Sequence, residues 1–167
     1  IAAARAAPQF EPALDQALGA AIGELQPLQG KTIILVDVSG SMDAKLSGKS
    51  DLRRVDAAAA LASIFPGLAR VMVFNTQVKE VPRRVGMAGV DAINQYVGGG
   101  TMLGVAVQHA NSIPHDRLIV ISDEQTADRV PDPVAKNAYM INVASNQNGI
   151  GYGRWIHIDG FSEQVLR

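Results

Sequence analysis

Two short apolar runs, Thr32–Val36 and Leu118–Ile121, each lead into an aspartate: Asp37 in "IILVD" and Asp123 in "LIVISD". Runs this short, β-branched and free of polar alternation read as strands buried on both faces, the pattern of a parallel sheet. Tyr139–Val143 is a third of the same kind. Helical spacing fills the gaps. Leu14, Ala17, Leu18, Ala21, Ile22 and Leu25 recur at that spacing, as do Val55, Ala58, Ala59, Ala62 and Phe65, with Asp91–Val97 and Leu103–Asn111 further on. Pro27 with Gly30, Pro66-Gly67 and Pro114 punctuate these segments. Only Asn75 and Thr76 separate Val71–Phe74 from Gln77–Val81, a hairpin spacing that makes the later strand antiparallel. Trp155–Ile158 reads as a last strand, with a helix from Ser162 after it. The expectation is an α/β fold: a doubly wound, mostly parallel sheet with one antiparallel edge strand and helices on both faces. Residues 1–9, alanine-rich and without a period, read as a flexible lead-in. Residues 10–167 read as a single domain, with 10–26 as an N-terminal helix packed on it.

In such a sheet, ligands bind beyond the carboxyl ends of the strands, where strand order reverses. Asp37 and Asp123 therefore share that edge. The loop "DVSGS" adds the hydroxyls of Ser39 and Ser41, and Gly40 permits a tight turn between them. Thr101 follows three glycines in "GGGT" and opens the helix Leu103–Asn111. Two carboxylates and three hydroxyls make an all-oxygen donor set, which suits Mg2+ or Mn2+ rather than zinc. Turn and helix-capping duty explains any one of these residues alone. Their joint order and placement favour the ion site. If the hydroxyls bind directly and one or both aspartates act through water, the cation keeps excess charge and an outside carboxylate can complete its shell.

Composition narrows the function classes. With 47% hydrophobic and 19% charged residues and a net charge of −1, the chain reads as a soluble globular protein. It has no overall basic field for nucleic acid or membrane. There is no cysteine, which excludes a disulfide framework and thiolate zinc sites and fits a reducing, cytoplasmic setting. No apolar run is long enough for a membrane span. The domain is expected to be monomeric. Ile1 is not an initiator methionine and Arg167 falls inside a helical pattern, so the chain is expected to be part of a longer protein.

The pattern Asp37, Ser39, Ser41, then Thr101, then Asp123 resembles the metal-ion-dependent adhesion site (MIDAS) of von Willebrand factor A (vWA) domains. The helix Ala13–Leu25 and the stretches "SDEQTADRVPDP", "YMINVASNQNGIGYG" and "WIHIDGFSEQVLR" further resemble the A domain of bacterial TROVE proteins, relatives of the Ro autoantigen. That resemblance implies a ring of HEAT-like repeats upstream, absent from this chain, that binds noncoding Y-type RNA. It implies Ser39, Ser41 and Thr101 as direct metal ligands, with Asp37 and Asp123 acting mainly through water. The function implied is a non-enzymatic binding module in a Ro-like ribonucleoprotein, with Mg2+ bridging to an acidic residue of a protein partner. Two alternatives stand beside it: a structural brace for the RNA-binding ring with an unused metal site, and a Mg2+-dependent phosphohydrolase. The latter is disfavoured because Ser39 stands where haloacid-dehalogenase-like phosphatases carry a second aspartate.

Asp43, Glu124 and Tyr152 are candidate partner contacts at the same edge. The bland reading is loop solvation for Asp43 and a helix start for Glu124. For Tyr152 it is a place in a glycine-rich turn. His109, His115 and His157 lack metal-ligand spacing and read as surface or capping residues. The pairs Arg53-Arg54 and Arg83-Arg84 read as solvated faces.

Overall fold

The computed structural model describes residues 1–48, 50–144 and 153–160. Its centre is a strand, β1 (Leu28–Asp37), whose last six residues are all buried. The chain first winds to one side. Helix α3 (Arg54–Ile64) leads to β2 (Gly67–Phe74), parallel to β1, and a tight turn leads to β3 (Val78–Val81), antiparallel to β2 at the edge. After α4 (Met87–Asn94) and α5 (Leu103–Asn111) the chain crosses to the other side of β1 and lays down β4 (Arg117–Ser122), β5 (Asn137–Asn142) and β6 (Ile156–Asp159), all parallel. The order is β3-β2-β1-β4-β5-β6. The expected doubly wound sheet with one antiparallel edge strand is therefore the architecture found.

The strand alternation sorts the core into two layers. Ile34, Val36, Val71, Val73, Ile119, Ile121 and Ile141 face the side of α3 and α4. Ile33, Leu35, Met72, Phe74, Leu118, Val120 and Met140 face α5, whose Leu103, Ala106, Val107 and Ala110 pack on them. Trp155 joins this second layer, so its role is core packing. Both faces of the central strands are covered, which is why those strands are continuously apolar. Helix α3 owes its close fit between sheet and α4 to small residues, with Ala57, Ala58, Ala59 and Ala62 all buried.

The N-terminal region carries its own anchor. Residues 1–9, read from the sequence as a flexible lead-in, include a helix, α1 (Ala2–Ala6), with Ala4 buried. The reason is an ion pair: the Arg5 guanidinium donates to both carboxylate oxygens of Asp56 at 2.8 and 2.6 Å. Alanine content alone carries no signal of that anchor. Helix α2 (Glu11–Gly23) forms where the periodicity places it, yet none of its residues is buried and Leu14 is exposed. A polar contact, the Met87 N–H donating to Asp15 at 3.1 Å, links it to the start of α4. The helix expected from Ser162 lies outside the described residues. No helix among the described residues is long and apolar enough to cross a membrane.

Asp56 ties three elements together. Besides Arg5, it accepts the backbone N–H of Arg53 at 2.9 Å, the Arg53 side chain, and Asn94 Nδ2 at 2.8 Å. Burial works to raise its carboxyl, but the hydrogen bonds from Arg5, Arg53 and Asn94 outweigh it and hold the group well below the ordinary carboxylate range. The charged form is therefore the one the fold stabilises. That contribution is complete above the ordinary carboxylate value and is lost as pH falls through and below it. Asp56→Ala should cost about 2 kcal/mol in urea unfolding at neutral pH, less than for a fully buried pair because both arginines reach solvent. The variant should also lose part of the acid-side decline in stability that the wild type shows.

Candidate metal centre at the carboxyl edge of the sheet

Strand order reverses between β1 and β4, which lie side by side in register from Thr32↔Arg117 to Val36↔Ile121. Asp37 therefore ends its strand level with Ser122, and Asp123 follows one residue on. Both aspartates are fully buried. Asp37 Oδ1 accepts the Ser39 N–H at 2.8 Å and Oδ2 accepts the Ser122 hydroxyl at 2.7 Å. Burial pushes the Asp37 carboxyl up from an ordinary 3.8 to about 6; hydrogen bonds from Ser39 and Ser122 oppose the rise and the charge of Asp123 adds to it. Ser122 was not singled out in the sequence. A hydroxyl as the last residue of an otherwise apolar strand was the available signal.

After Asp37 the chain enters a single 3-10 turn, Gly40–Asp43, which brings Ser39 Oγ and Ser41 Oγ to 3.2 Å from each other. The glycine run lies against this turn. The Gly40 N–H donates to Gly99 O at 2.9 Å and the Gly98 N–H to Val38 O at 2.8 Å. Gly98 and Gly99 have φ of 134° and 81°, which side chains other than glycine adopt only under strain. A Cβ on Gly40 would sit 3.3 Å from Gly99 O, so glycine also permits the close approach of the two loops.

Thr101 is joined to the third loop. Its carbonyl accepts the Ala127 N–H at 3.0 Å, and Thr126 Oγ1 accepts the Leu103 N–H at 3.1 Å. Asp128 caps α5 from outside, accepting the N–H groups of Gly104 and Val105 at 2.9 Å each. Burial opposes the charge on Asp128, but the Thr126 and backbone hydrogen bonds leave its carboxyl below the ordinary value. The five expected donors thus stand on three loops that backbone hydrogen bonds stitch together at one edge. Their chemistry fits a hard divalent cation, since every donor is oxygen and both carboxylates are out of water.

Two basic residues depart from the sequence reading. Arg54, taken as part of a solvated pair, instead donates from Nη1 to Asp123 Oδ2 at 2.9 Å and to Ser41 O at 3.4 Å. Arg53 pairs with Asp43 at 2.8 Å and with Asp56 at 3.2 Å. The missed signal was positional: the helix after β1 must start at the carboxyl edge, so its first side chain arrives beside the site.

The partner-contact candidates divide. Asp43 is exposed at the end of the 3-10 turn, on the rim. Glu124 is fully buried beneath the edge, with φ of 61°, and its carboxylate contacts His157 Nε2. A surface contact by Glu124 is therefore corrected: its carboxylate is buried against His157 of β6. Tyr152 lies outside the described residues. Glu124, His157 and Asp159 form a second polar cluster whose ligand-type atoms lie within 4.8 Å of one another. His157, read as a surface or capping residue, is drawn in because β6 lies beside β5.

A family model described as "VWA domain containing CoxE-like protein" matches residues 25–142. No curated protein matches the chain. Among solved structures, the Ro (RSR) protein of Deinococcus radiodurans superposes with a TM-score of 0.70 at 20% identity, over 93% of this chain and 36% of that one. This chain thus spans about a third of the Ro protein's length. An aerotolerance-related membrane protein from Bacteroides fragilis NCTC 9343 aligns with a TM-score of 0.48 at 15% identity, over 68% of this chain and 67% of that one. With the family match extending from just after α2 through β5, the chain belongs to the VWA domain containing CoxE-like proteins.

Proposed function

We propose that this domain is a non-enzymatic, metal-dependent binding module. Ser39, Ser41 and Thr101 hold Mg2+ or Mn2+ directly, and Asp37 and Asp123 act mainly through water. An acidic residue of a protein partner closes the coordination shell, and Asp43 on the rim meets the same partner. The observation that carries this reading is the pairing of Ser39 Oγ with Ser41 Oγ at 3.2 Å beside two buried carboxylates. Two like charges in a low-dielectric pocket are costly unless a cation joins them. The fold likeness to the Ro protein supports a wider proposal. In it, the domain is the A-domain part of a cytoplasmic Ro-like ribonucleoprotein, and Y-type RNA is bound by a separate upstream part. Catalysis is not part of this reading, because Ser39 occupies the position where a phosphohydrolase of this sheet type would carry its second aspartate.

A specific contact favours a second reading. Arg54 already supplies a positive charge to Asp123, as it would in a domain that braces its neighbours and leaves its metal site unused. Mg2+ or Mn2+ decides between them. At about a hundred times Kd, a bound ion should raise unfolding stability by about 2.7 kcal/mol. That gain should vanish in Asp123→Ala and in Ser39→Ala/Ser41→Ala; an unshifted wild type sinks the module and leaves the brace. Partner capture that survives the double serine substitution would refute the metal bridge for that partner.

Asp37 gives the matching pH result. Its raised carboxyl means that, without metal, its stabilising contribution is complete below about 4 and is lost as pH rises through about 6. Asp37→Asn should therefore unfold at a higher urea concentration than wild type at pH 7.5 in EDTA, by an amount on the order of 2 kcal/mol. The difference should close near pH 4. The same variant should lose the response to Mg2+.

A further inference from the structure

Arg54 opens α3, and its backbone N–H, donating to Ala44 O at 2.9 Å, fixes the helix start against the turn that carries Ser41. From there its guanidinium reaches Asp123 Oδ2 and Ser41 O. The arginine side chain is 19% exposed and the aspartate 0%. An ion pair this shielded from water is weakly screened. Arg53 cannot take its place, because its own guanidinium is engaged with Asp43 and Asp56. An arginine also does not give up its charge by deprotonation. Any divalent ion that draws on the Asp123 carboxylate, directly or through water, therefore competes with a resident cation for it.

We propose that Arg54 is the built-in counter-cation of this site, and that a divalent ion enters by exchange with it. In the metal-free protein Arg54 neutralises Asp123 and keeps the edge folded. On ion binding the guanidinium leaves the carboxylate, so the Arg54–Asp123 pair sets the threshold of cation affinity. This rests on the metal reading above and adds a residue outside the five donors.

The test is a Mn2+ titration of wild type, Arg54→Gln and Arg54→Lys, with free Mn2+ counted by electron paramagnetic resonance and folding checked by circular dichroism. Arg54→Gln should bind Mn2+ about fivefold tighter or more, while unfolding at lower urea in EDTA. Arg54→Lys, which keeps a charge, should stay nearer the wild type. If wild type binds and folded Arg54→Gln binds no tighter, the exchange is overturned and the metal reading survives. If none of the three binds Mn2+, the metal reading falls and the exchange with it. A wild-type readout covers the case in which Arg54→Gln fails to fold: the Arg54 Nε–Hε NMR signal, assigned by its loss in Arg54→Lys, should shift on Mg2+ saturation. An unchanged signal in a protein that binds Mg2+ overturns the proposal.

Discussion

Two carboxylates, Asp37 and Asp123, close neighbouring strands at the centre of the sheet, and neither reaches water. Burying like charges together is among the more expensive choices a fold can make. The loops around them answer that cost. Asp37 receives the Ser39 N–H and the Ser122 hydroxyl, and Asp123 receives Arg54. These contacts are partial answers, since burial still holds the Asp37 carboxyl near 6. The all-oxygen set of side chains around them is of the kind that a hard divalent cation takes.

The topology also fixes where these side chains stand. Reversal of strand order between β1 and β4 opens a crevice at their carboxyl ends, and three loops meet there. They are joined by backbone hydrogen bonds from Gly40 to Gly99, Gly98 to Val38 and Ala127 to Thr101, with side-chain bonds such as Ser122 to Asp37 beside them. Backbone held this way leaves the Ser39, Ser41 and Thr101 side chains little loop entropy to lose on any ordering. Asp128 adds to this by fixing the start of α5 just after Thr101.

Much of this was legible in the sequence, for identifiable reasons. Buried parallel strands are short continuous apolar runs, so β1, β4 and β5 stood out, and the two-residue turn Asn75-Thr76 marked the antiparallel edge. The shared edge of Asp37 and Asp123 was legible because the fold rule about carboxyl ends converts two distant aspartates into neighbours. What stayed hidden depends on side-chain reach across the chain. Arg54 lies 69 residues from Asp123 and Arg5 lies 51 from Asp56. No local pattern records either pairing. Glu124 reads as a residue of the ligand edge until β6 brings His157 against it, a pairing across 33 residues that no local pattern records.

The central claim is that the cation site is the edge formed by Ser39, Ser41 and Thr101 with Asp37 and Asp123. Anomalous diffraction from crystals grown with Mn2+ tests it most directly. The expected result is a single strong peak in coordination contact with the Ser39 and Ser41 hydroxyls, absent from crystals of Ser39→Ala/Ser41→Ala. A peak at the Glu124, His157 and Asp159 cluster instead, or none at saturating Mn2+, would contradict it.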